Sequence, residues 1–230
     1  MKTRYFFLIY ILFFGVTAFA QDTLQTATPK YLEDQFYAGI TYNLLQQRPE
    51  GVSQNSFSNS IQLGYIKDIP LNERRNVGIG IGLGYAINSY YTNLRASEAE
   101  SGITYELIDA SASYKRNKIE THLVEIPVEF RWRTSTAEDY KFWRIYTGVK
   151  LGYVFANSSK YIESDLKDKF SNPDIQKFQY GVYISFGYNT WNFYANYQLS
   201  SIFREGATID GSGEEITMNA LKIGLIFYIL

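Results

Sequence analysis

From Val77 to Tyr85 every second residue is glycine, with Ile79, Ile81, Leu83 and Tyr85 between Gly78, Gly80, Gly82 and Gly84. A period of two sends successive side chains to opposite faces of an extended strand, whereas a helix gathers residues three and four apart. One face is therefore apolar and the other nearly empty. A glycine-rich phosphate loop is the competing reading, but such loops space their glycines irregularly and open a helix. Glycines on an inner face instead leave room for long side chains arriving from other strands of a narrow barrel.

The same period recurs along the chain. Phe36, Ala38, Ile40, Tyr42 and Leu44 alternate with mostly polar or small residues, as do Phe57, Ile61, Leu63 and Tyr65. Val124, Ile126, Val128, Phe130 and Trp132 interleave with Glu125, Pro127, Glu129, Arg131 and Arg133. Pro127 cannot donate to a ladder, so a bulge or local break is predicted there. The pattern continues through Trp143–Phe155, Phe178–Tyr188, Trp191–Leu199 and Leu221–Ile229. These segments predict an all-β, eight-stranded antiparallel transmembrane β-barrel built as an up-and-down meander, lipid meeting the apolar face of every strand. A soluble β-sandwich also alternates, but it does not need apolar outer faces on all its strands.

The predicted connections alternate in length. Residues 46–56, 92–117, 157–174 and 203–215 are the long outer candidates, and 67–76, 134–141 and Asn189-Thr190 the short inner ones. Trp132, Trp143 and Trp191 fall at the inner strand ends beside Tyr65, Tyr188 and Phe227, which predicts one aromatic girdle. Tyr90, Phe155, Phe178 and Phe203 are the candidates for the other. The 21 tyrosines and 16 phenylalanines suit such interfaces, because a tyrosine ring sits in hydrocarbon while its hydroxyl reaches water.

The beginning of the chain gives an address. Lys2 and Arg4 precede an apolar run from Tyr5 to Gly15, and Ala18-Phe19-Ala20 offers a small-residue cleavage site before Gln21. The run is shorter than the ~20 residues that span a bilayer, which favours a cleaved leader over an anchor. The domains are therefore a signal peptide at 1–20, a polar periplasmic lead-in at 21–33 containing Pro29, and an outer-membrane β-barrel at 34–230. The chain has no cysteine, which removes lipoprotein acylation and thiolate chemistry, and a net charge of −1 gives no basic excess for nucleic acid.

Catalytic chemistry finds little footing. Glu125, Glu129, Arg131, Arg133, Arg144, Lys150 and Lys222 are predicted to face the lumen. Paired carboxylates could do acid–base work, but opposite charges in a filled lumen are expected to neutralise one another. His122 is the only histidine, with Glu120 on the same face, and no serine is tied to it by spacing. One histidine and no cysteine argue against a transition-metal site. The outer connections mix both charge signs, as in 160–174, and read as solvated surface. No catalytic, cofactor-binding or metal-binding residue is assigned.

The leader, the tyrosine-rich alternating strands, the Val124-Glu125-Ile126-Pro127-Val128-Glu129-Phe130 segment and the strand at 221–230 together resemble the PorT-like outer-membrane barrels of Bacteroidota. The resemblance spans nearly all of the chain after the leader and implies a role in type IX protein secretion and gliding. The chain ends in Leu230 where a terminal aromatic is common in barrel assembly signals, with Phe227 or Tyr228 as substitutes. The expected function is a non-enzymatic barrel of the cell outer membrane, an accessory or scaffold component of an envelope assembly. The alternatives are a lipid-modifying barrel enzyme and a surface adhesin acting through its outer loops. Expected partners are outer-membrane lipid and other envelope or secretion proteins, with no nucleic acid and no cofactor.

Overall fold

The structure, a computed structural model, describes residues 34–100, 102–109, 111–134, 142–164 and 166–229. The expected leader at 1–20 and lead-in at 21–33 lie outside the described residues, as does most of the inner connection at 134–141. Among the described residues eleven strands follow in chain order: β1 (Gln35–Gln46), β2 (Asn59–Pro70), β3 (Val77–Tyr91), β4 (Leu94–Ala99), β5 (Gly102–Leu107), β6 (Arg116–Arg133), β7 (Trp143–Glu163), β8 (Leu166–Phe170), β9 (Phe178–Tyr188), β10 (Trp191–Gln198) and β11 (Asn219–Ile229). Eight of them pair antiparallel in the order β1-β2-β3-β6-β7-β9-β10-β11, and β11 pairs back onto β1 to close the barrel. The alternation thus produces the predicted wall. Among the described residues no helix is long and apolar enough to cross a membrane, and the crossing is made by strands.

The wall is inverted relative to a soluble core. In β9, Phe178, Tyr180, Val182, Ile184, Phe186 and Tyr188 face outward and exposed, while the residues between them are buried in the lumen. The inner girdle forms as predicted, with Trp143 and Tyr188 ring centroids 5.4 Å apart and Trp191 and Phe227 4.8 Å apart. At the other end Phe155 and Phe178 face outward, but Tyr90 and Phe203 do not. Both are buried, so their assignment to the outer girdle is corrected.

The lumen glycines act as inferred. A Cβ on Gly84 would lie 2.0 Å from the Tyr37 hydroxyl, and one on Gly80 would lie 2.8 Å from Arg131 Nε. Side chains from β1 and β6 therefore occupy the space that β3 vacates. At Pro127 the β3–β6 ladder lapses between the Ile81↔Val128 and Gly84↔Glu125 pairs without changing register, so a break occurs but no bulge. The bulge lies higher, where β7 fits the extra residue Phe155 between Leu123↔Val154 and His122↔Ala156. One inserted residue reverses the facing of everything beyond it. Phe155 and Ala156 are both exposed, and Ser159 and Tyr161 then turn inward.

The long outer connections differ most from expectation. The stretch predicted as a loop at 92–117 contains the β4–β5 hairpin, and that at 157–174 contains the end of β7 and all of β8. Leu94, Tyr105, Ile175, Ile202, Phe203, Ile209, Ile216 and Met218 bury their side chains together with Leu45, Leu123 and Val154 from the wall. These segments fold over the outer mouth as a cap with its own apolar core, not as solvated loops. Tyr105 packs edge-on against Phe203 at 5.5 Å and donates a hydrogen bond to Asn172 Oδ1 at 3.1 Å.

Candidate functional site

Two charge clusters fill the lumen. Near the inner end, Arg131 and Arg133 project from alternate positions of β6 and are fully buried. Arg133 donates through Nη1 and Nη2 to Asp68 Oδ1 and Oδ2 at 2.9 and 2.7 Å, the two-point geometry that suits a guanidinium and a carboxylate. Arg131 Nη1 reaches the same Asp68 at 3.1 Å, its Nε bonds Glu129 at 2.7 Å and its Nη2 bonds Gln35 at 3.1 Å. The Tyr183 hydroxyl donates to the other oxygen of Glu129. Tyr146 lies under the Arg131 guanidinium at 4.6 Å from its ring centroid.

Midway up the lumen, Lys150 Nζ lies 3.2 Å from Glu125 Oε2 and donates to Gln62 Oε1 at 2.5 Å and Tyr194 Oη at 2.9 Å. The rings of Tyr37, Tyr183 and Tyr194 surround it. The space left between Glu125, Lys150, Gln179, Asn196, Gln198 and Lys222 is about 20 Å³, room for a single water and no larger solute.

All seven predicted lumen charges are indeed buried inside the barrel, but they do not form one network. Glu129, Arg131 and Arg133 meet around Asp68, while Glu125 and Lys150 meet separately. Arg144 was expected to be neutralised by an opposite charge in the lumen. It instead stacks on Phe142 at 4.5 Å, and among the described residues its Nε and Nη1 have no hydrogen-bond partner. Lys222 donates to Asn88 Oδ1 at 3.0 Å.

Asp68 is the central residue that the sequence reading missed. It falls in the predicted connection at 67–76, but β2 runs on to Pro70. The signal was present, because Tyr65, Lys67 and Ile69 point outward and Ile66 and Asp68 inward with unbroken period. Tyrosines fill the lumen as well. Tyr37, Tyr146, Tyr183, Tyr194 and Tyr228 form an apolar cluster with Ile66 and Ile226, so part of the tyrosine excess fills the barrel and does not line its interfaces.

His122 faces outward near the outer end of β6. Its Nδ1 lies 2.6 Å from Tyr85 Oη and its Nε2 3.7 Å from Glu120 Oε1. Ser89 donates to Glu120 at 3.2 Å, not to the imidazole, and Lys118 pairs with the same carboxylate. A Ser-His-acid relay needs a serine hydroxyl bonded to the histidine. Here both ring nitrogens face other groups. Among the described residues no group of three or more His, Cys, Asp or Glu side chains could hold a metal ion.

Residues 19–204 match the family model described as "Outer membrane protein beta-barrel domain". No curated protein matches the chain in sequence. Among solved structures, Ail, the attachment invasion locus protein of Yersinia pestis, is 11% identical over 84% of this chain and 97% of its own, with a TM-score of 0.32. Its complex with the heparin analogue sucrose octasulfate is 12% identical, covering 85% and 99%, with a TM-score of 0.34. A mutant Rh. blastica porin is 9% identical, covering 86% and 100%, with a TM-score of 0.22. No residue-by-residue correspondence carries over at these levels.

Proposed function

The chain belongs to the outer membrane protein β-barrel domain family, and from that premise we propose that it serves as a non-enzymatic accessory or scaffold component of an envelope assembly. The observation that carries this reading is that the barrel is closed twice. Its lumen is packed with paired charges and tyrosines, and the connections above form a cap with a core of their own. A barrel of eight strands has an interior that side chains can fill. Such a molecule offers surfaces in place of a path. A lipid-modifying enzyme finds no support at His122, whose nitrogens face Tyr85 and Glu120. The PorT-like resemblance makes type IX secretion the assembly to test first.

The test is purification of the tagged barrel from envelopes in mild detergent. Stable, stoichiometric co-purification of other envelope proteins is the expected result. A solitary barrel, with no partner retained after crosslinking in intact cells, would defeat the proposal. A second reading, attachment to an external surface, is favoured by the ordered packing of the cap. It predicts binding by whole cells that is lost when the β4–β5 hairpin is removed, with the envelope partners absent.

A further inference from the structure

Beyond the outer girdle, β6, β7 and β8 continue as a three-stranded extension of the wall. Its register sets Lys118 opposite Lys160, and Lys160 opposite Lys169. The next row sets Arg116 opposite Ile162, and Ile162 opposite Lys167. Residues directly opposite in antiparallel strands share a face with Cβ atoms about 5 Å apart, and like charges so placed repel. Five cations therefore crowd one face. The carboxylates of this extension mostly lie elsewhere: Asp168 is opposite Tyr161, and Glu163 accepts from Tyr161, both on the reverse face. Among the described residues Glu120 is the acid on the basic face, and Lys118 already holds it.

Charge of one sign gathered on one face costs stability unless something outside the chain neutralises it. Lys160 sits in the middle of the group, and desolvation with the neighbouring Arg116, Lys167, Lys118 and Lys169 lowers its pKa. The basic face looks outward, on the side that faces lipid lower down. Lys160 lies five residues beyond Phe155 and Lys118 four beyond His122. At about 3.3 Å per residue and a tilt near 40°, that is roughly 10–13 Å above the aromatic belt. A phospholipid headgroup layer is only about 6 Å deep. Between belt and lysines lies a cleft of about 320 Å³ whose polar lining is Glu120, His122, Asn157, Ser158, Lys169 and Ser171, beside Ala156 and Phe170. Its polar side chains suit sugar hydroxyls.

We propose that this face is a binding site for an anionic glycolipid of the surrounding leaflet. The sugars occupy the cleft above Phe155, and the phosphate or carboxylate groups lie across Lys160 and Lys169. The occupant is a lipid because the site is continuous with the lipid-facing wall, and a glycolipid because of its height.

The test uses the purified full chain in neutral detergent and reads the midpoint of heat-induced unfolding by gel mobility. Adding a diphosphorylated disaccharide lipid is expected to raise the wild-type midpoint by several degrees, and added salt to reduce the shift. The double variant Lys160→Gln/Lys169→Gln should lose most of that shift, while Lys160→Arg/Lys169→Arg and the distant Arg48→Gln should retain it. In detergent alone the glutamine variant should melt no lower than wild type, because it relieves repulsion. Equal shifts in wild type and the glutamine variant would overturn the site. So would an equal response to the dephosphorylated lipid. A matching response to a soluble sulfated oligosaccharide would overturn the assignment to lipid.

Discussion

Asp68 shows how much depends on a single buried carboxylate. Two guanidiniums converge on it from β6, one of them through two bonds, and none of the three side chains is exposed. Breaking a buried ion pair by removing one partner typically costs ~3–5 kcal/mol, because the other charge is left without compensation. Asp68→Asn or Arg131→Ala is therefore expected to lower the heat-unfolding midpoint in detergent substantially. Asp168→Ala, on β8 in the extension of the wall, should stay within about 0.5 kcal/mol of wild type. Gel mobility after graded heating distinguishes them, and unchanged midpoints in both lumen variants would refute the pairing as a source of stability. Asp68 escaped notice in the sequence because Lys67, Asn72, Glu73, Arg74 and Arg75 around it look like a polar connection. Its role depends on β6, more than sixty residues away.

The cap is the element whose existence the alternating pattern did not announce. Its apolar residues are scattered: Leu94 and Tyr105 come from the hairpin, Ile175 from the segment after β8, and Phe203, Ile209 and Ile216 from the last outer connection. None of these stretches is long enough to show a period. Tyr105 ties them together, donating to Asn172 and lying 3.2 Å from Asp174 Oδ2. Burial pushes its phenol well above the ordinary value near 10. A group whose folded pKa is raised contributes stability that is complete below the unfolded pKa and is lost as pH climbs toward the folded one. The cap should therefore loosen above about pH 10. Limited proteolysis of the 199–218 connection should accelerate between pH 9 and 11 in wild type. Tyr105→Phe should be cut somewhat faster at pH 7, having lost a hydrogen bond worth about 1 kcal/mol, and show a flatter pH response. An identical alkaline rise in both proteins would remove Tyr105 from the explanation.

For the whole molecule, lumen and cap act in series. A solute would have to displace the Asp68 cluster, pass the Lys150 cluster and then cross the apolar core of the cap. Planar-bilayer recordings of the purified barrel are expected to stay at baseline over a wide voltage range. Steady unitary currents from pure protein would show that the lumen opens. The same closure leaves the outward wall, the cap and the basic extension as the surfaces through which the protein can act. The proposed assembly role and glycolipid site draw on different surfaces, so either can fail without the other.

Facing was legible in the chain alone because it is a local property. In Phe178–Tyr188 the period of two decides which side chains meet lipid, whatever the neighbouring strands are. Eight such segments, joined by connections that are alternately long and short, already imply a closed meander, since an open edge cannot lie in hydrocarbon. The glycines of Val77–Tyr91 likewise foretold a crowded interior. Seven of the charges that fill it were legible too, but how they pair was not. Whether Arg131 meets Asp68, or Arg144 stacks on Phe142, depends on the registers of β2, β6 and β7 around the closed wall, and closure couples residues that no local spacing relates. The bulge at Phe155 reversed the facing of the upper part of β7 and so put Lys160 beside Lys118 and Lys169 on one outward face. That basic face exists only in the folded barrel, because its charges come from three strands whose alignment the tertiary structure alone sets.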